Sequence, residues 1–521
     1  MMGRPDRRMS MKNIDDNLTD EQSIVQLNKA WFSPENIASL NSVPSGGIVH
    51  IIGICGIAMA QLALSLSRQG YIVFGSDTHF YDPMGALLKS SAITLYTEYA
   101  SSNVPLNVDL VIIANAMFPD NPEVTVIREK NLPYSSFPMV MGEWLIDDRH
   151  SIVICGTHGK TTTTGITASI LHKMGRDPSW FIGGLSGSLP ETLHKGKGTF
   201  SVIEGDEYHS AFYAKKPKFF FYRPNTVIIN AIEFDHGDIY SDIDSIRAEF
   251  RELLLSLKSS DRAICCIDYP QIRLLLDEVR EKVKCKILTF GFSSEDADFY
   301  IAERTQSGKE QTLLVGGKYH KVPVKLVVPM IGTYNALNAV AAYAALIENS
   351  FSEESILCEL AQIQGVSRRQ QILFQDDDYL LMEDFAHHPT AVKGTVSAVS
   401  EAYPDKRIWA VFEPRSNTSR RKIFEDDYKV AFEGASQVLI SDVTANSRMN
   451  EDSGLIDVRE LATSITANGI TARALADSDA IYDCLTKEVK SGDLILIMSN
   501  GAFGNICRRL IDFYDVKKLR P

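Results

Sequence analysis

From residue 48 onward the chain repeats one pattern. A short aliphatic or β-branched run meets a turn rich in glycine or acids, and a longer stretch follows with apolar residues three to four apart. Runs of this length between turns read as buried strands, and the stretches after them as amphipathic helices. Residues 48–52 give the first strand, Gly53-Ile54-Cys55-Gly56 its turn, and 59–68 a helix closed by Gly70. Strands over 71–74 and 109–113 end at Asp77 and at Asn115-Ala116. A polar joint at Asp147-Asp148-Arg149 leads to further strands over 152–155, 200–203 and 226–229, and 284–328 carries a weaker alternation. Beyond a second joint at 365–369, strands are read at 379–382, 408–412, 438–440 and 494–498. Regular strand–helix alternation predicts an α/β protein with mostly parallel sheets. The joints divide it into three domains, 48–148, 149–365 and 366–521, after an extension over 1–47. That extension shows little periodicity beyond a short helix near 33–36, where Ser33 caps and Pro34 follows.

Composition narrows the class. A chain of 521 residues outgrows a single core. Its 45% hydrophobic and 23% charged content is that of ordinary globular protein. A net charge of −13 argues against a general binder of nucleic acid or anionic membrane, so any phosphate site must be a local pocket. The eight cysteines contain one adjacent pair, Cys265-Cys266, and no Cys-x-x-Cys, which supports neither a metal cluster nor a disulfide framework. The apolar stretch 48–66 is interrupted by His50, Gly53, Gly56 and Gln61, so strand-turn-helix explains it better than a membrane span. The basic start lacks an apolar core behind it, so no signal peptide is read and a cytoplasmic location is expected.

The chemistry gathers at strand ends, where ligands collect in parallel sheets. Strand 152–155 runs into Gly156-Thr157-His158-Gly159-Lys160-Thr161-Thr162 and then a helix. Such a loop wraps backbone N–H groups around an anion at the positive end of a helix; Lys160 would reach terminal phosphates and Thr161 a magnesium ion. Ile154 stands where the longer consensus has glycine, so the match is to a shorter Gly-Thr-x-Gly-Lys-Thr variant. Glu204 is read as a second hard magnesium ligand or else a helix-capping carboxylate, and His236 as a metal ligand or else a structural histidine. Gly53 and Gly56 are either packing glycines or part of a diphosphate site, with Asp77 placed to meet a ribose hydroxyl. Asn335 and Asn338 share a helical face, where they would meet a purine edge, face solvent or cap. In the last domain the clusters are Asp384 to Thr390, Glu413 to Thr418, and Ser499-Asn500-Gly501. Arg415 with Asn417 suits a carboxylate, with an exposed surface arginine as the alternative. Adjacent His387 and His388 seldom chelate one ion, so they are not read as a zinc site.

These clusters, in this order over residues 48–521, resemble the Mur ligase family of ATP-dependent amino-acid and peptide ligases of cell-wall synthesis. The resemblance is carried by Gly53-Ile54-Cys55-Gly56, Asn115-Ala116-Met117, the 156–162 loop, Glu204-Gly205-Asp206-Glu207-Tyr208, Glu233-Phe234-Asp235-His236, Asp384-Phe385-Ala386-His387-His388-Pro389-Thr390, Glu413-Pro414-Arg415-Ser416-Asn417-Thr418 and Met498-Ser499-Asn500-Gly501. It implies a Rossmann-like N-terminal domain for a UDP-sugar, a central P-loop ATPase-type domain and a Rossmann-like C-terminal domain for the acceptor. It also implies ATP and Mg2+ as cofactors. The implied chemistry activates the carboxylate of UDP-N-acetylmuramate as an acyl phosphate, which an amine then attacks. Phe-Ala-His-His-Pro-Thr and Glu-Pro-Arg-Ser-Asn-Thr are more similar to members that take the recycled tripeptide L-Ala-γ-D-Glu-meso-diaminopimelate than to those that add L-alanine. L-alanine is therefore the alternative acceptor, and an ATP-driven conformational switch the non-enzyme alternative.

Carried over by position, Lys160, Glu204, His236, Asp384 and His387 are the implied catalytic set. Thr161, Glu204 and His236 would hold the metal. Residues 156–162, Asn335, Asn338, Arg369 and Asp384 would hold ATP; Gly53, Gly56, Asp77, Asn115, Ala116, Arg415, Asn417, Ser499 and Asn500 would hold the substrates. Tyr334, Gln371 and Glu383 depart from the family pattern, and 241–257 lacks the lysine that some members carbamylate. A monomer or weak homodimer, without nucleic-acid or membrane partners, is expected.

Overall fold

The computed structural model describes residues 36–518 except 236, 238, 293–295, 319, 321 and 444–453. His236, and the short helix near 33–36 but for Asn36, lie outside the described residues.

Three main sheets follow one another along the chain. The first has five parallel strands in the order Thr94–Tyr96, Ile72–Ser76, Ile48–Ile52, Leu110–Ile113, Tyr134–Ser136. The second has ten strands, with His150–Cys155 between Thr226–Ile229 and Phe200–Gly205 near its middle. Because the chain leaves His150–Cys155 toward one side and returns on the other, a crevice opens beyond the carboxyl end of that strand. The third has six strands in the order Gln371–Gln375, Leu380–Asp384, Leu494–Met498, Ile408–Phe412, Gln437–Ser441, Thr471–Leu475, parallel except at its first pair.

Burial on both faces explains why these strands are near-continuous apolar runs. Leu110–Ile113, Thr226–Ile229, Ile408–Phe412 and Leu494–Met498 are buried at every position. The weakly alternating stretch is different. It folds as Lys286–Phe292 and then an antiparallel extension of Phe299–Ser307, Glu310–Gly316 and Val324–Val328, whose burial alternates because one face meets solvent.

The first two sheets share one hydrophobic core. Segment 137–146, just before the polar joint, is buried in it, and Gly142 packs so closely that an added Cβ would lie 2.0 Å from the Phe221 carbonyl oxygen. The C-terminal sheet has separate cores on its two faces, and Phe234 and Tyr334 of the central sheet's segment pack against one of them. The joint before it is strained: Arg368 and Gln370 hold φ of 61° and 50°, a region that side chains with a Cβ rarely adopt.

Candidate active site

The loop after His150–Cys155 turns on two glycines in the left-handed region, Gly156 (φ 116°) and Gly159 (φ 81°). A Cβ on Gly156 would meet the Ala231 backbone at 2.6 Å, and one on Gly159 the Asn338 amide at 2.4 Å. The loop is therefore clamped between the end of Thr226–Ile229 and the helix Thr333–Glu348. Thr157 N–H donates to the Ala231 carbonyl, and Thr157 Oγ1 exchanges hydrogen bonds with the Glu233 backbone. Helix Lys160–Lys173 starts directly from Gly159, so its first N–H groups face the loop.

Lys160 Nζ donates to the Gly156 carbonyl at 2.7 Å and to Glu207 Oε2 at 2.9 Å. Burial works against its charge, but Glu207 and Asp206 outweigh burial and raise its pKa. Asp206 also accepts from Lys218 at 2.8 Å; burial opposes its ionisation, yet Lys218 and Lys160 pull its pKa down to about 2. Thr161 Oγ1 donates to Glu204 Oε2 at 3.0 Å, and the other Glu204 oxygen accepts from the Gly183 N–H. Burial, then the charge of Asp206, pushes the Glu204 carboxyl up. Thr161 and Glu204 thus form an all-oxygen pair beside a half-buried ammonium, a donor set that suits Mg2+.

Asn335 and Asn338 lie beneath this loop, both 4% exposed. Asn338 Nδ2 donates to Asn335 Oδ1 at 3.2 Å, and Asn335 Nδ2 donates to Ile331 O at 2.9 Å and to Gln370 Oε1 at 3.0 Å. Their amides connect the phosphate loop to the interdomain joint. At that joint Arg369 Nη2 reaches Thr161 Oγ1 at 3.4 Å, and its guanidinium lies 4.7 Å over the Phe385 ring. Gln371 and Glu383 both hold Arg368: the Gln371 amide oxygen accepts from Arg368 N–H at 2.8 Å, and Glu383 Oε1 from Arg368 Nε at 2.7 Å. Arg368 Nη2 donates in turn to the carbonyls of Ser499 and Gly501. Asp384 accepts from Gln370 N–H and Ala386 N–H, and burial raises its pKa. His387 Nδ1 lies 3.0 Å from its near neighbour Phe385 O, and burial lowers the imidazole pKa. Tyr334 OH lies 3.5 Å from Thr395 Oγ1, which reaches Asp384.

At the ends of Ile408–Phe412 and Leu494–Met498, Ser499 Oγ donates to Glu413, and the Arg415 guanidinium lies against Gly501, where a Cβ would be 1.8 Å away. Arg420, 7% exposed, donates through Nε to Pro414 O, while its Nη1 has no hydrogen-bond partner among the described residues. Asn500 Oδ1 is likewise buried and unpaired, and Asn417 is half-buried nearby in sequence. In the first domain, Asp77 accepts from Cys55 N–H at 2.9 Å and so braces the Gly53–Gly56 turn, while Asn115 and Ala116 stand exposed after Leu110–Ile113.

The structure therefore brings Lys160, Thr161, Glu204, Arg369, Asn335, Asn338 and Asp384 into one connected network. Sequence reading did not single out Asp206, Glu207, Lys218, Arg368 or Arg420. The acids were visible as a run behind Glu204, but the buried bases come from distant segments and carry no local signal.

Fold and loop together define a three-domain α/β protein built around a shortened phosphate loop. Models of the Mur ligase family match three consecutive stretches: the catalytic domain at residues 48–149, the middle domain at 154–346 and the glutamate ligase domain at 368–501. The UDP-N-acetylmuramate–L-alanyl-γ-D-glutamyl-meso-2,6-diaminoheptandioate ligase of Escherichia coli K12 is 34% identical over 89% of this chain and 97% of its own. The Haemophilus influenzae protein of the same name is 30% identical over 90% and 99%. Among solved structures, a murein peptide ligase from Psychrobacter arcticus aligns with a TM-score of 0.67 at 30% identity, covering 90% of this chain and 98% of that one. A UDP-N-acetylmuramate–alanine ligase from Thermotoga maritima aligns at 0.73 and 24% identity, covering 90% and 99%, and shares the fold. This chain belongs to the Mur ligase family and is a ligase. Among the described residues no helix is long and apolar enough to cross a membrane.

Proposed function

We propose that this chain uses ATP to join the lactyl carboxylate of UDP-N-acetylmuramate to the amine of L-alanyl-γ-D-glutamyl-meso-diaminopimelate, in peptidoglycan recycling. The observation that carries this choice of acceptor is the near end-to-end similarity, at 30% identity or more, to two ligases named for that tripeptide. The buried Arg420 Nη1, which has no hydrogen-bond partner among the described residues at the end of the C-terminal sheet, supports it, since the tripeptide brings several carboxylates.

In this reading the 156–162 loop cradles the triphosphate and Lys160 meets the terminal phosphate. Thr161 and Glu204 hold Mg2+, with His236 as a further candidate ligand. The ion would neutralise charge on the transferring phosphoryl group. Arg369, stacked on Phe385 above Thr161, adds positive charge from the joint. The Gly53–Gly56 turn, Asp77, Asn115 and Ala116 line the UDP-sugar side. Asp384 orders the joint through Gln370; His387, kept neutral by its burial, is suited to the amine side. Arg415, Arg420, Asn417, Ser499 and Asn500 receive the acceptor. The donor carboxylate first takes the phosphoryl group as an acyl phosphate with loss of ADP; the amine then displaces inorganic phosphate and forms the amide.

The test is product identification by mass after incubation with ATP, Mg2+ and UDP-N-acetylmuramate plus either the tripeptide or L-alanine. The expected outcome is a UDP-muramoyl-tripeptide and little alanine adduct. The reverse would reassign the acceptor, and slow ATP hydrolysis indifferent to both would indicate a switch.

A further inference from the structure

Apart from the all-oxygen pair of Thr161 and Glu204, one cluster at the seam between the central and C-terminal sheets brings two imidazoles and a carboxylate together. Ligand atoms of His158, Glu233 and His388 all lie within 4.8 Å of one another. His158 comes from the phosphate loop, Glu233 from the segment after Thr226–Ile229, and His388 is the N-cap of helix Pro389–Ala402. His158 Nε2 is 2.6 Å from Glu233 Oε2, and His388 Nδ1 is 3.9 Å from the same oxygen.

Neighbouring groups already orient these side chains. Thr390 Oγ1 donates to Glu233 Oε1 at 3.0 Å, and His388 Nε2 lies 3.3 Å from the Phe234 carbonyl, to which it donates. That donation puts the His388 lone pair on Nδ1, where the contact within its own cap is a long 3.4 Å approach of Thr390 N–H. An imidazole whose far N–H is fixed by a backbone carbonyl is the arrangement in which histidines ligate metals. The His158 and Glu233 side chains remain 20% and 26% exposed, which leaves a solvent side for a further ligand. The His387 ring is turned to Phe385 O and takes no part.

We propose that His158, Glu233 and His388 form a site for Zn2+, distinct from the magnesium pair. Two nitrogens and one carboxylate with an open position suit zinc, whereas Mg2+ selects oxygen ligands. Binding replaces the hydrogen bond between His158 and Glu233, and the His158 proton passes through solvent from Nε2 to Nδ1, which leaves the imidazole neutral with its Nε2 lone pair on the ion. Because the ligands come from the nucleotide loop, the central sheet's strand end and the C-terminal helix, a bound ion ties the last domain to the phosphate loop.

The test uses the full-length protein, stripped with a chelator and titrated with Co2+ in excess Mg2+. One equivalent of Co2+ is expected to give the intense visible absorption of a four-coordinate ion with imidazole ligands, and Zn2+ to abolish it by displacement. His388→Asn keeps a helix-capping side chain without the ring, and Glu233→Gln keeps the shape without the charge. Each is expected to weaken Co2+ binding at least ~100-fold. Weak six-coordinate absorption from the unmutated protein would overturn the proposal, and this reading needs no variant to fold. So would an intense band that survives in both variants. No substrate is involved, so loss of ligase activity or a different acceptor leaves the outcome unaffected.

Discussion

Replacing Lys160 by alanine removes the ammonium between Glu207 and the Gly156 carbonyl and leaves buried Glu207 and half-buried Asp206 without that counter-charge. If Lys160 meets the terminal phosphate, Lys160→Ala should lower turnover by a factor on the order of 10³ or more. The measurement is phosphate release, with circular dichroism to show an intact fold; near-normal turnover would remove Lys160 from the mechanism. Arg420 makes a different prediction. Its buried Nη1 has no partner among the described residues, so a carboxylate arriving there gains a charge-assisted bond worth roughly 1.5–3 kcal/mol. Arg420→Met, which keeps an apolar stem, should raise the tripeptide KM about 10–100-fold while leaving the ATP KM alone. A uniform loss of kcat with both KM values unchanged would assign Arg420 to packing. Lys160 was legible in the sequence because its loop is contiguous: strand, glycines, lysine and helix occur in one run. Arg420 was not, since nothing in the local sequence marks an arginine as buried. The Asn335 and Asn338 pair was seen as sharing a face, but its bond to Gln370 requires two distant segments to meet.

Among the elements, strands buried on both faces were readable from their apolar runs, whereas the antiparallel extension over 299–328 was not resolved. Its half-exposed strands mix polar and apolar residues, and that pattern competes with loop. Strand ends also hold the C-terminal sheet together away from the site. Asp493, 4% exposed, precedes Leu494–Met498 and accepts from Arg407 Nη2 at 2.6 Å, Trp409 Nε1 at 2.9 Å and Lys490 N–H at 2.8 Å. Burial opposes its ionisation, but these donors hold the carboxyl below its ordinary pKa. A carboxyl that titrates lower when folded contributes fully above its unfolded pKa of about 4 and loses that contribution as pH falls through the folded value. Asp493→Asn should therefore be less stable at pH 7 by about 1–3 kcal/mol, and the gap should narrow from pH 7 toward pH 3. Thermal unfolding across that range measures it, and a gap that widens in acid would contradict the assigned sign.

For the whole molecule, the arrangement of the last domain depends on a short stretch of the central one. Residues 233–237 carry four contacts in succession: Glu233 accepts from Thr390, Phe234 O from His388, Asp235 from Thr418, and Gly237 O from Arg421 at 2.7 Å. A further tie between the two domains is the Arg304 guanidinium, which grips Glu401 through two bonds of 2.9 and 2.7 Å. At the joint, Arg368 and Gln370 hold strained backbone conformations. A ligase that shuttles between loading and closure needs such a seam to be modest, because a few hydrogen bonds of ~0.5–1.5 kcal/mol each can be made and broken within a turnover. Removing two of them with Thr390→Ala and Thr418→Val should shift the balance toward open forms by about 2 kcal/mol, or ~30-fold. The expected signs are a larger radius of gyration by small-angle X-ray scattering and a raised KM for ATP, with the unfolding temperature of each domain held. An unchanged scattering profile together with an unchanged KM would mean that the 233–237 contacts do not govern closure, and that the joint at Arg368 and Gln370 sets the arrangement by itself.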